Sequence, residues 1–240
     1  GVGALPVFVD TVDNLTIDLE DLGQKIKSSG SKVLLLSHMR GHICDMDKLM
    51  AICNTHNVKV IEDCAHTMGA SWAGVASGRH GIIGCYSCQT YKHLNSGEGG
   101  LLVTDDDEVI ARAIVLSGSY MLFEQHRSIP DLAVFEKIKL ETPNISGRMD
   151  NLRAAILRPQ LSDLRDRVSR WNERYKIIED GLRNVPIIKI IERAEDEAYV
   201  GSSLQFKIPK TNGNQIKTFL NGCMKRGVEL KWFGASAPKA

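Results

Sequence analysis

The chain lacks an excess of charge, a paired cysteine pattern and any long apolar run, and aromatics make up only 6% of it. Lys and Arg number 30 against 29 Asp and Glu, so a net charge of +1 exerts no pull toward nucleic acid or an anionic membrane. The uncharged apolar runs are short. Val33-Leu34-Leu35-Leu36 is typical, far below the ~20 residues of a membrane span. No succession of basic, apolar and small residues opens the chain as a secretion signal would. Six cysteines, at 44, 53, 64, 85, 88 and 223, are too few for a disulfide framework and point to reduced thiols in a cytoplasmic protein. Cys85-Tyr86-Ser87-Cys88 spells C-x-x-C. It ends an apolar run instead of opening a helix, however, and no second ligand pair is spaced for zinc.

What is present is an average globular composition, 43% apolar and 25% charged, over 240 residues, enough for one or two domains. The first half alternates strand and helix. Pro6 to Val9 reads as a short strand, and Asp18 caps a helix that presents Leu19, Leu22 and Ile26 and stops at Gly30. Lys32 to Leu36, Val58 to Ile61, Ile82 to Ser87 and Gly100 to Thr104 read as further strands. Met46, Leu49, Met50 and Cys53 form a helical stripe between two of them. Strands this apolar, separated by amphipathic helices, imply an α/β fold with a mostly parallel sheet covered by helices on both faces.

The second half changes character. Leu164, Val168, Trp171, Tyr175, Ile178 and Leu182 mark a sustained helix, with Pro159 expected to kink or break the helix that begins near Asp150. Strands around Ile187 to Ile191, Ser203 to Ile208 and Val228 to Trp232, and a helix from Gly213 to Arg226, suggest a smaller C-terminal α+β domain. The expected division is 1–160 and 161–240. Ser117 to Gly147 has weak periodicity and reads as an irregular excursion, either lining a substrate pocket or solvated. Asp105-Asp106-Asp107-Glu108 precedes a helix, where acids favour the positive end of the dipole. His38 and His42 flank Gly41 after a strand and read as a loop pair without a metal.

In an open parallel sheet, ligands bind beyond the carboxyl ends of the strands. The strand Val58 to Ile61 runs directly into Glu62-Asp63-Cys64-Ala65-His66. The strand Ile82 to Tyr86 delivers Ser87, Gln89, Thr90 and Lys92, followed by the turn-forming Gly97-Glu98-Gly99-Gly100. A lysine at such an edge can condense with an aldehyde to form a Schiff base. Pyridoxal phosphate then needs a carboxylate at its pyridine nitrogen, a part open to Asp63, and phosphate donors such as Ser87. Taken singly, a strand-end aspartate also caps helices and a lysine also sits in solvent.

These segments occur together with Pro6-Val7-Phe8-Val9-Asp10, Gly41-His42-Ile43-Cys44-Asp45-Met46-Asp47, Thr67-Met68-Gly69-Ala70 and Arg148-Met149. In that order they resemble the DegT/DnrJ-type, or sugar aminotransferase, family of pyridoxal-phosphate enzymes with the aspartate-aminotransferase fold. The resemblance implies that Lys92 carries pyridoxal 5'-phosphate as a covalent Schiff base and moves the proton. It further implies that Asp63 pairs with the ring nitrogen, that His66 lies at the phenolic-oxygen side, and that Ser87, with Gln89 beside it, binds phosphate. It implies transfer of an amino group from glutamate or glutamine to a keto group of a nucleotide-linked sugar, or of a cyclitol, by a homodimer with shared active sites. Retention of Lys92 separates the chain from the deoxysugar dehydratase branch, where histidine replaces it. A non-catalytic scaffold of the same fold is the other alternative.

Two departures accompany the resemblance. The family's asparagine two residues ahead of Arg148 is Ser146 here, with Asn144 two positions earlier, so either residue is a candidate for the cross-subunit phosphate contact. Pro6 to Asp10 matches a point well inside the family's large domain, and the chain stops at Lys239-Ala240 where relatives continue. It is expected to be truncated at both ends, without a phosphate-binding turn ahead of Gly1, and to bind the cofactor weakly or not at all by itself, although it carries the lysine.

Overall fold

A computed structural model of the chain describes residues 2–119 and 122–235. The first elements are α1 (Leu19–Ser29), β1 (Val33–Ser37), α2 (Met46–Thr55), β2 (Lys59–Asp63), β3 (Ser71–Trp72), β4 (Val75–Ala76), β5 (Ile83–Ser87) and β6 (Gly100–Val103). Then come α3 (Asp107–Ile114), α4 (Leu132–Ile138), α5 (Asn151–Ser162), α6 (Leu164–Arg183), β7 (Lys189–Ile190), β8 (Glu197–Ala198), β9 (Phe206–Lys207) and α7 (Gly213–Met224). Two compact units result, one of Gly1–Ile178 with Glu192–Leu204, the other of Glu179–Ile191 with Gln205–Ala240. Residue 160, the division expected from sequence, lies inside the first unit, which runs on through α6 to Ile178 and resumes at Glu192.

The first unit is built on a four-stranded sheet of order β1-β2-β5-β6. β1, β2 and β5 are parallel and β6 is an antiparallel edge. The register sets Ser37 beside Asp63 and Asp63 beside Cys85, so these strands end together at one edge. Leu22, Ile26, Met46, Leu49, Cys53, Leu36 and Val60 pack into one buried core between α1, α2 and the sheet. At β1 the cover is on one face only, since Val33 and Leu35 are 58% and 69% exposed. A three-stranded sheet of order β4-β3-β8 completes the unit, and Trp72 in β3 donates its indole N–H to Asp47 at 3.1 Å.

Helix starts follow the sequence closely because a short acidic or amide side chain caps six of the seven α-helices among the described residues. Asp18, Asp45, Asp106, Asp131, Asp150 and Asn212 all accept hydrogen bonds from first-turn N–H groups. α1 ends at Gly30 with φ +68°, the left-handed cap the sequence called for. Other expectations are corrected. α5 continues through Pro159 to Ser162, and the break falls at Asp163: the proline forfeits the one bond its missing N–H would make and crowds the carbonyl of Ala155, and the helix absorbs both. Neither Pro6 to Val9 nor Val228 to Trp232 forms a strand: each is a short run for which no neighbouring strand supplies a ladder.

The excursion from Ser117 to Gly147 is more ordered than its weak periodicity suggests; residues 120 and 121 within it lie outside the described residues, as do Lys239 and Ala240. It contains α4, and Phe123 and Phe135 stack at 4.4 Å between centroids in a core of their own with Ala111, Ile114, Val115 and Ile138. The second unit holds the end of α6, the antiparallel pair β7-β9 and α7, which starts with a capping box between Asn212 and Gln215. Among the described residues no helix is long and apolar enough to cross a membrane.

Candidate active site

The carboxyl ends of β1, β2 and β5 deliver the polar side chains, as an open parallel sheet requires. Asp63 closes β2. Its Oδ1 accepts from the Ala65 N–H at 3.1 Å and its Oδ2 from the Ser37 hydroxyl at 3.2 Å. These two donors orient the carboxylate and leave lone pairs for a third partner. Ser37 was not singled out from sequence. Its signal was available, since it ends β1 as Asp63 ends β2.

Lys92 stands in the loop after β5. That loop is closed at its base by the Cys88 N–H to the Gly99 carbonyl, 2.8 Å, and by the Thr90 N–H to the Gly97 carbonyl, 2.9 Å. Gly97 and Gly99 have φ of +84° and +142°, backbone that side chains with a Cβ resist, and this is what the glycine-rich run contributes. The Lys92 Nζ reaches 3.2 Å from His66 Nε2. A charged lysine only donates, so Nε2 accepts and the neutral imidazole carries its proton on Nδ1. Burial holds the Lys92 amine below the usual lysine range; Arg40 adds to this and Asp63 opposes it. Lys92, His66 and Asp63 thus act on one another across a single edge of the sheet. Ser87 and Gln89 lie alongside, half-buried, with the Gln89 N–H donating to Ser87 Oγ at 3.3 Å.

His66 is pushed down to about 4 by burial, then by the cations of Lys92 and Arg40. An unfolded chain binds the proton near 6.5 and the folded one only near 4, so the folded state loses stability as pH falls through that window and is unaffected above it. His66→Gln is expected to flatten the pH dependence of the urea midpoint between pH 7 and pH 5. An unchanged slope in that variant would place the acid sensitivity in another group.

Asn144 is not brought to this edge. Its Oδ1 accepts from the Ser146 N–H at 2.8 Å, and both residues line a separate cavity of about 660 Å³ with Gly118, His126 and Arg148. None of Asp63, His66, Ser87, Gln89 and Lys92 lines that cavity.

Behind the edge lies a buried knot. Glu62 accepts from the N–H groups of Gly78, His80 and Gly81, each at 2.8 Å, and meets His38 Nε2 at 3.1 Å. Burial pushes its carboxyl up, but the bonds from His38, Gly81 and Gly78 outweigh that and hold it below the usual range. His38, Glu62 and Cys64 lie close enough together to hold an ion. With both carboxylate oxygens already engaged by donors, however, the cluster is a brace for the 78–81 loop. All six cysteines are free, so Cys85 and Cys88 form no disulfide.

A mostly parallel sheet packed with helices makes this an α/β fold, with Lys92 in the field of Asp63 at the carboxyl edge of its strands. The profile of the DegT/DnrJ/EryC1/StrS aminotransferase family matches residues 1–233, and the chain belongs to that family. It is 31% identical over 196 residues to GDP-perosamine synthase of Escherichia coli O157:H7, an alignment spanning 81% of this chain and 50% of that one. Over 117 residues it is 40% identical to a putative L-glutamine:3-amino-2,3-dideoxy-scyllo-inosose aminotransferase of Micromonospora echinospora, covering 48% of this chain and 28% of that one. The crystal structure of S. venezuelae DesV in complex with a ketimine intermediate matches with a TM-score of 0.79 at 26% identity, covering 98% of this chain and 59% of that one. The chain spans about half or less of the length of these curated relatives.

Proposed function

We propose that the chain is the lysine-bearing part of a pyridoxal-phosphate-dependent aminotransferase that moves an amino group from glutamate or glutamine to a keto group of a nucleotide-linked sugar or a cyclitol. The observation that carries this reading is the Lys92 amine, held 3.2 Å from a neutral His66 within the field of Asp63. The donor set suits the cofactor. Lys92 offers an amine of lowered basicity, Asp63 a carboxylate with lone pairs to spare, and Ser87 and Gln89 half-buried polar groups, whereas Glu62 beside them is saturated. Bound there, pyridoxal phosphate supplies an electron sink for the carbon that loses its proton.

The chain's own residues divide the remaining work. With the cofactor bound, Lys92 would supply the amine for the covalent link and carry the proton of the transfer. Asp63 would pair with the cofactor's pyridine nitrogen and favour its protonated form. His66, neutral at physiological pH, lies beside the amine and adds no charge that would repel an incoming ammonium. The related names, a synthase of GDP-perosamine and an L-glutamine-dependent inosose aminotransferase, support a sugar or cyclitol acceptor. Asn144, apart from this edge in its own chain, would reach the phosphate of a neighbouring subunit in a homodimer. Six free thiols favour a reducing, cytoplasmic setting.

Incubation with excess pyridoxal phosphate followed by borohydride reduction and peptide mapping tests the assignment. The pyridoxyl group is expected on the peptide bearing Lys92 in marked excess over all other lysines. Labelling spread evenly over surface lysines would remove Lys92 from its role.

A further inference from the structure

One buried ion pair of the first unit is untouched by the proposed chemistry. Arg193 and Glu197 approach to 2.6 Å with side chains 8% and 1% exposed. The Arg193 guanidinium carbon lies 4.4 Å from the centroid of the Tyr199 ring and 5.4 Å from that of Tyr175. Replacing such a pair by apolar residues of similar size is often neutral or stabilising, so stability alone does not account for it. What it does is grip a turn 152 residues away. Arg193 donates to the Gly41 carbonyl at 2.8 Å, and Glu197 accepts from the Ile43 N–H at 3.1 Å.

The opposite side of that turn rests on the catalytic edge. Gly41 has φ +82°, and a Cβ there would come within 3.0 Å of the His66 carbonyl oxygen. Arg40, one residue earlier and also left-handed at φ +55°, stands beside the same site. The turn is therefore pinned from behind by the ion pair and bears in front on the residue that touches Lys92. We propose that Arg193 and Glu197 are positioning residues, which press the 39–43 turn against the His66 backbone and thereby set the geometry of the His66–Lys92 pair. The proposal rests on the reading of Lys92 as the reactive amine, but its consequences are measurable in the chain without cofactor.

The readouts are the titration of His66 by NMR and of Lys92 by competitive trace acetylation with mass spectrometry. The charged or titratable groups acting on His66 are Lys92, Arg40, His93 and Asp63. Freeing the turn exposes His66 and withdraws the Arg40 cation, and both changes favour protonation. In the double variant Arg193→Met with Glu197→Met, His66 is expected to titrate about one pH unit higher, with Lys92 moving up as well. Arg193→Lys is expected to retain most of the wild-type behaviour, because one ammonium can still serve the Gly41 carbonyl and Glu197. A double variant with wild-type near-ultraviolet dichroism and unchanged titrations of both groups would overturn the proposal. If the double variant fails to fold, Gly41→Ala decides. It strains the same turn against His66 while keeping both charged side chains, and unchanged titrations there would overturn the proposal equally. Shifted titrations together with no pyridoxyl label on Lys92 would instead sink the aminotransferase reading and leave the positioning role standing.

Discussion

Glu62→Ala is expected to cost about 3–5 kcal/mol of stability, the range for removing one partner of a buried, fully paired charge. The carboxylate serves three backbone donors of the 78–81 loop and His38 Nε2, and its removal strands them. Each stranded buried donor costs about 1–3 kcal/mol, though relaxation keeps the sum below the simple total. Glu62→Gln keeps the shape and one acceptor oxygen but turns an NH2 group toward N–H donors, so it should fall only modestly short of the alanine variant. Against a typical total of about 5–15 kcal/mol, either change is large in a urea titration. A midpoint shift worth under about 1 kcal/mol would mean that water replaces the carboxylate, and that the loop needs no brace.

The same residue shows where sequence reading ran short. In β2, Val60 and Glu62 share the face that packs inward, and Asp63 falls on the other. A charged residue two places after a buried valine breaks the strand's alternation, and that break was a readable sign of a buried, paired group. The edge itself was legible, because local rules place it: strands followed by polar residues, a glycine run after the lysine loop, and capping residues at the helix starts. Ser37 and Asp63 meet only through the β1-β2 register, 26 residues apart, and Arg193 reaches Gly41 across 152. No local periodicity encodes pairings of that span. The Phe123–Phe135 stack escaped for a related reason, since one of its residues lies in a short turn and the other in a seven-residue helix, too brief for a stripe to declare itself. Pro159 misled in the opposite direction: it forfeits one backbone bond and crowds the turn before it, yet α5 carries on three residues beyond it.

On the proposed reading, and with pyridoxal phosphate supplied in excess, Asp63→Asn is expected to leave the fold and the pyridoxyl labelling of Lys92 nearly intact while slowing the proposed half-reaction with glutamate by on the order of 10²–10³, the usual loss when one preorganised electrostatic partner is removed. Asparagine matches aspartate in shape, and its amide oxygen can still accept from the Ala65 N–H or the Ser37 hydroxyl, so the loop keeps most of its anchoring. What it lacks is the negative charge that, on the proposed reading, would hold a proton on the pyridine nitrogen, and without that proton the ring would accept electrons poorly. The loss should therefore appear in kcat, with KM for glutamate little changed. Ser37→Ala separates orientation from charge. It removes one neutral hydrogen bond to a retained carboxylate, worth about 1.5–3 kcal/mol at most for a bond to a charged group, and is expected to slow the reaction clearly less than Asp63→Asn. Should the asparagine variant turn over at the wild-type rate, Asp63 would be a structural cap at the end of β2, and the partner of the ring nitrogen would have to be sought elsewhere along the edge.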